Sequence, residues 1–184
     1  MGFNYFLSQI PDVQFRVMLK NGKRSSVLFG FDFESLIHNS FKFVKLTLPD
    51  IIKSANFERL ILELANDRGL NLFHYDVDKV NPNEAFYFIN WVRDEIEQIN
   101  KMESVYLASD PDMELMAAGV SELNQFGAQN IIDGLTKGDD TKAEYYWNKP
   151  YSYIFDRQYK MTIENRIQKK LMDIQKNKSK TGKK

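Results

Sequence analysis

The segment Asn81-Pro82-Asn83-Glu84 constrains this chain more than any other, because it reads as the start of a helix at every position. Asn81 can accept hydrogen bonds from the open amides of a first turn. Pro82 suits the first helical position, where a missing N–H costs nothing, and Glu84 can reach back from the third. Ala85, Ile89, Val92, Ile96, Ile99 and Met102 then recur at helical spacing, with Asp94, Glu95 and Glu97 on the other faces, out to about Leu107. A helix of that length with one apolar face must be covered by other elements, so the fold has to be built around it.

Similar patterns flank it. Thr47 can cap a helix that starts near Pro49, and Phe57, Leu60, Ile61, Leu64 and Ala65 carry an apolar face onward until Gly69 stops the run. Ser109 or Asp110, followed by Pro111, repeats the start grammar. Glycines at 119, 127, 134 and 138 predict short helices broken by tight turns. Pro150 opens a last long helix in which Ile163, Ile167, Leu171 and Ile174 share a face. At the other end, Val13, Phe15, Val17 and Leu19 alternate in the manner of a strand with one buried face. Asn21-Gly22 is a hairpin turn pair, and Val27, Phe29 and Phe31 supply a second alternating set. Residues 41–48 suit another extended segment or the lead-in to a helix, and residues 70–80 suit a strand or an ordered connection. The prediction is a mainly α protein of five or six helices with a small N-terminal β-hairpin, of α+β type. Its parts would be a β element at 1–48, a helical body at 49–175 and a mobile basic tail at 176–184.

The 184 residues are 43% hydrophobic and 14% aromatic, enough to bury a core, which argues against global disorder. There are no cysteines, which removes disulfides, thiolate nucleophiles and cysteine-ligated zinc, and suits a reducing compartment. No stretch approaches the ~20 apolar residues of a membrane span, so no membrane partner is expected. The first residues lack the basic start and small-residue cleavage site of a signal peptide. Phe6 stands where a myristoylation motif needs Ser or Thr. A soluble intracellular protein is the expectation.

Catalytic chemistry finds little purchase. The histidines, His38 and His74, have no ligand spacing between them. Asp76 and Asp78 beside His74 can offer oxygen ligands to a divalent cation, the one metal-dependent enzyme reading that the residues allow. The clusters Asp110-Pro111-Asp112 and Gly138-Asp139-Asp140 coincide with expected helix starts, where acidic side chains serve as caps. Phosphate-binding glycine loops and nucleophile-elbow motifs are absent from the sequence. A non-enzymatic protein without cofactor or metal is expected.

Charge is more informative. The net charge is zero, yet Asp76 to Asp140 holds fourteen acidic and four basic side chains, a net of −10. Asp156 to Lys184 holds ten basic and three acidic, a net of +7. Such a polarised chain offers head-to-tail complementarity to its own copies. In the aromatic stretch before the last helix, Trp147, Tyr151, Tyr153 and Arg157 are candidates for a protein interface. Lys169, Lys170, Lys176 and Lys178 are candidates for contact with an acidic partner or with nucleic acid. The aromatic stretch itself suits a buried helix root first, a partner surface second and a base-stacking platform third.

Residues 110–171 carry the glycine-broken "AGVSELNQFGAQNIIDGLTKGD", the step Trp147-x-x-Pro150-Tyr151 and the basic terminal helix. In these features the chain resembles the C-terminal part of small structural or assembly proteins of tailed bacteriophages, among them crAss-like and other phages of Bacteroidetes hosts. The resemblance implies a non-enzymatic neck or tail ring, adaptor or tail-assembly chaperone. Its partners would be its own copies and other phage structural proteins, and its location the virion, with the host cytoplasm during assembly. The alternative expectation is a nucleic-acid-binding module using the basic helix and tail.

Overall fold

In the computed structural model the described residues are 23–72, 80–108 and 116–181, with side chains described through residue 178. Two short strands, β1 (Val27–Leu28) and β2 (Phe31–Asp32), pair antiparallel. The hairpin is therefore small, and its turn is Phe29-Gly30, inside the stretch whose alternation suggested a single strand. Both turn residues have positive φ, 53° and 79°, as a two-residue hairpin turn demands. Asp32 closes it by accepting from the Ser26 hydroxyl at 2.6 Å. The alternating set at 13–19 and the Asn21-Gly22 turn lie outside the described residues.

Helical structure begins at residue 41, not near Pro49. The helix starts on Ser40, whose hydroxyl accepts from the Phe43 amide, and passes through a π-helical turn, Phe43–Thr47, into α1 (Leu48–Ser54). Thr47 is itself helical and makes no side-chain cap. The wide turn explains how Pro49 can sit inside a helix. A proline ring strikes the carbonyl four residues back, and the i→i+5 pairing of Leu48 N–H with the Phe43 carbonyl displaces that row. A domain boundary at residue 48 would cut this continuous segment.

The run from Pro49 to Gly69 is also two helices. Ala55 turns left-handed (φ 49°), and Asn56 caps α2 (Phe57–Asp67) by accepting from the Arg59 amide. At its far end Leu70 N–H returns to the Ala65 carbonyl and Gly69 N–H to Asn66, the paired closure for which Gly69 supplies the positive φ of 67°.

The Asn81 start is as read: its side chain accepts from the Asn83 amide, Pro82 is the first residue, and α3 runs Pro82–Met102 before a second π-helical turn, Glu103–Leu107. Beyond it come a 3₁₀ helix (Val120–Phe126), α4 (Ala128–Thr136), α5 (Ala143–Trp147) and α6 (Tyr151–Thr181). Gly119, Gly127 and Gly138 make the breaks with positive φ, whereas Gly134 is an ordinary residue of α4. The expected tail is helical as far as Thr181, because nothing between Pro150 and Gly182 interrupts a helix.

One core joins these parts. Leu28, Phe33 and Leu36 from the β element, Ile61 and Leu64 from α2, Phe88 and Val92 from α3, Ile132 from α4, and Trp147, Tyr151 and Ile154 around the root of α6 belong to a single buried cluster. Phe33 meets Phe88 edge-on at 5.1 Å, so the N-terminal element is packed on the helical body.

Candidate protein interaction site

The two regions with an expected role, the aromatic root of α6 and its basic shaft, prove to be different kinds of surface. The root is fastened by backbone first. Pro150 has no N–H to give, so the bridge between Ser40 and Pro150 is carried by its neighbours. Phe41 N–H donates to the Lys149 carbonyl and Tyr151 N–H to the Asn39 carbonyl, each at 2.8 Å. The Phe41 ring then lies between Trp147 (5.6 Å) and Tyr151 (6.2 Å). Along α6, Tyr151, Phe155 and Tyr159 stack at i, i+4 and i+8, and Tyr106 from the second π-helical turn meets Phe155 and Tyr159 edge-on.

Trp147 is 9% exposed and Tyr151 not at all, so both are covered within the chain. This corrects their assignment as partner contacts: the energy of their burial is already used to root α6. The more open part of the root is a cluster around half-buried Tyr153 and exposed Arg157. Arg157 stands 4.9 Å over the Tyr153 ring, and Lys149 lies 4.2 Å over Tyr145 and 5.8 Å from Tyr153. The Lys149 ammonium beside Tyr145 holds its phenol below the usual range. Tyr145 was missed from the sequence. The signal was its place four residues before Lys149 and eight before Tyr153, although α5 and α6 are separated by the break at residues 148–150.

The Tyr151 hydroxyl donates to Glu103 at 2.7 Å, and Lys45 reaches the same carboxylate at 2.5 Å, so both π-helical turns converge on it. Burial, and then the Glu103 acceptor, push the phenol well above its usual value. A folded-state pKa above the unfolded one favours the native state fully below pH ~10 and loses that contribution as pH rises further. Stability is therefore expected to fall more steeply above pH ~10 in the wild type than in Tyr151→Phe, measured by thermal unfolding across alkaline buffers.

A second polar knot sets where the root sits. Asp67 accepts from Asn39 Nδ2 and the Ser40 amide, both at 2.8 Å, and from the Ser40 hydroxyl. Arg68 donates to Asn39 Oδ1 (2.9 Å) and to the carbonyls of Phe33 (2.8 Å) and Ser35 (2.6 Å). Burial pulls its guanidinium below the ordinary value, against the attraction of Glu34 and Asp67. From α3, Glu95 takes the Ser35 hydroxyl and the Leu36 amide.

The shaft of α6 is different. After Arg166 donates to the Ala108 carbonyl at 2.5 Å, its side chains are exposed through residue 178, Lys169, Lys170, Lys176 and Lys178 included. Ile163, Ile167, Leu171 and Ile174 are 37%, 52%, 54% and 51% exposed. Val120, Leu123 and Phe126 are also open, aligned at i, i+3 and i+6 along the 3₁₀ helix.

Of the acidic candidates, Asp139 acts as a cap, accepting from the Thr141 amide and paired with Lys142 at 2.5 Å. His38 ends a 3₁₀ turn in solvent. His74, Asp76, Asp78, Asp110 and Asp112 lie outside the described residues. Among the described residues no group of three or more histidines or carboxylates gathers as metal ligands, and no helix is long and apolar enough to cross a membrane. Comparison with family models, with characterised proteins and with solved structures gave no match to this chain.

Proposed function

We propose that this chain is a non-enzymatic structural or assembly protein of a tailed phage that works through protein–protein contacts. A neck or tail ring, an adaptor and a tail-assembly chaperone all fit that description. The phage setting, with its location in the virion and in the host cytoplasm during assembly, rests on the sequence resemblance across residues 110–171. One observation carries the mode of action. Helix α6 has 31 residues, a rod of about 46 Å, and its aromatic root is bonded to the body while its outer half presents an apolar stripe to solvent. The cluster of exposed Tyr145 and Arg157 with half-buried Lys149 and Tyr153 adds residue types that anchor interfaces.

The nucleic-acid reading draws on the same four lysines, but they are spread around the shaft. Lys169 stands 16 residues beyond Tyr153, about 24 Å along the helix, so the exposed rings and the lysines do not form one base-stacking surface. The apolar stripe also has nothing to offer a phosphate backbone.

Sizing with light scattering over a range of concentrations is expected to show assemblies heavier than the 21.6 kDa chain. Reversing Lys169, Lys170, Lys176 and Lys178 to glutamate should weaken that assembly several-fold. A strictly monomeric protein at every concentration would overturn the reading. Retardation of duplex DNA that falls steeply with salt would move the assignment to nucleic acid.

A further inference from the structure

We propose that the stripe Ile163, Ile167, Leu171 and Ile174 on α6 of one molecule docks in an apolar groove between α2 and α3 of a second copy of this chain. The inference rests on the assembly reading and names the two surfaces that would carry it.

The groove has a volume of about 440 Å³. Ile52, Phe57 and Leu60 form one wall and Ile89, Val92 and Ile96 the other. The chain breaks at Ala55, where α1 ends and α2 follows, and Ala55 and Asn56 line the groove between them. Ile52, at the mouth, is half exposed. The Ile163 stripe is its counterpart. Spacings of four, four and three keep its side chains within about 80° of arc over ~16 Å of helix, the form in which an amphipathic helix enters a groove.

A second copy is the occupant that geometry and charge favour. Helix α6 is unbroken from Tyr151 to Thr181 and bonded to the body at its root, so its outer half cannot turn back onto its own groove. Pairing two α6 helices is opposed by charge, because Lys178 falls within the stripe's own arc, Lys170 lies about 20° beyond its edge, and the shaft as a whole is basic. The body offers the opposite sign. Asp156 to Lys184 carries +7 in a chain of net charge zero, so residues 1–155 carry −7. Beside the groove, Glu58 follows Phe57 and Glu97 follows Ile96, both exposed, while Lys53 on the α1 side and Arg93 in the lining, paired with Asp94, are the cations there. Another open apolar row, Val120, Leu123 and Phe126, stands on one short helix.

This contact joins different surfaces on the two partners, so each molecule donates a helix and accepts one, and the series closes into a ring or continues as a filament. The four stripe residues expose on the order of 400 Å², about half of the ~800 Å² per partner of a standard interface, so each contact is weak and gains from closure.

The chain has no cysteine, which makes paired substitution a clean test. Ile52→Cys protein is mixed with size-tagged Ile167→Cys protein and oxidised, and the products are separated without reductant. Both positions are half exposed, so neither change empties the core; Ile89→Cys with Leu171→Cys is the second pair. The expected result is a mixed disulfide dimer formed at least ten times faster than with Val105→Cys, an exposed position outside the groove, in place of Ile52→Cys. Predominant Ile167→Cys homodimers would overturn the proposal in favour of helix pairing. Failure of both pairs while the wild-type protein still assembles would overturn the groove alone and leave the assembly reading standing. A monomeric wild type would remove both.

Discussion

Asp67→Ala is expected to lower the unfolding free energy by about 3–5 kcal/mol, read from urea denaturation. The carboxylate is the acceptor for three donors on Asn39 and Ser40, and Asn39 is fully buried. Alanine leaves those donors without a partner where water has little access, so the cost is that of stranding polar groups. The loss spreads through Asn39, whose other side-chain atom accepts from Arg68. It also reaches α6, because Ser40 and Asn39 are the residues to which Pro150 and Tyr151 are stapled. Asp67→Asn keeps one acceptor oxygen and should cost roughly half as much. A loss below about 1 kcal/mol for the alanine variant would mean that water satisfies the knot.

The second large effect is expected from Phe41→Ala, about 3–5 kcal/mol by the same measurement. Phe41 is fully buried between Trp147 and Tyr151, so truncation removes apolar contact and leaves a cavity that two rings on a stapled backbone cannot easily close. The consequence should be local as well as global. The Tyr151 amide, bonded to the Asn39 carbonyl, is expected to lose hydrogen-exchange protection beyond what the fall in global stability explains, because its root loses its clamp. Exchange that tracks global stability alone would mean that the backbone staple holds the root without the ring. Since a domain of this size is stable by only about 5–15 kcal/mol, either substitution takes a large share.

The helical part of the fold was legible wherever a cap and a periodic face coincided. Asn81 with the Ala85 stripe, Gly69 closing α2, and Pro150 opening α6 stand as read, because each signal is local: a side chain reaching an amide two or three residues away, or a φ that glycine adopts freely. At the root of α6, Ile154 is buried and Phe155 partly buried against the core, with Arg157 and Lys160 outside. The misreadings have physical causes of their own. Val27, Phe29 and Phe31 alternate like a strand, yet Phe29 takes a positive φ because the turn between Leu28 and Phe31 needs one there. Thr47-Leu48-Pro49 looks like a helix start, and a π-helical turn carried helix through it instead. Asn56 was a cap hidden within an apolar run that continued on both sides.

At the candidate site, the residue types, the charge separation between body and last helix, and the stripe along α6 follow from order and spacing along one chain. Which aromatic residues are spent inside depends on partners far away in that order. Trp147 is covered by Phe41, and Tyr151 by Phe41 and by the Glu103 and Lys45 pair, partners 48 to 110 residues distant, whereas Tyr153 on the same helix is half-buried and Arg157 open. The groove likewise has no signature in sequence. It is a space lined by side chains of α1, α2 and α3, which only packing brings together.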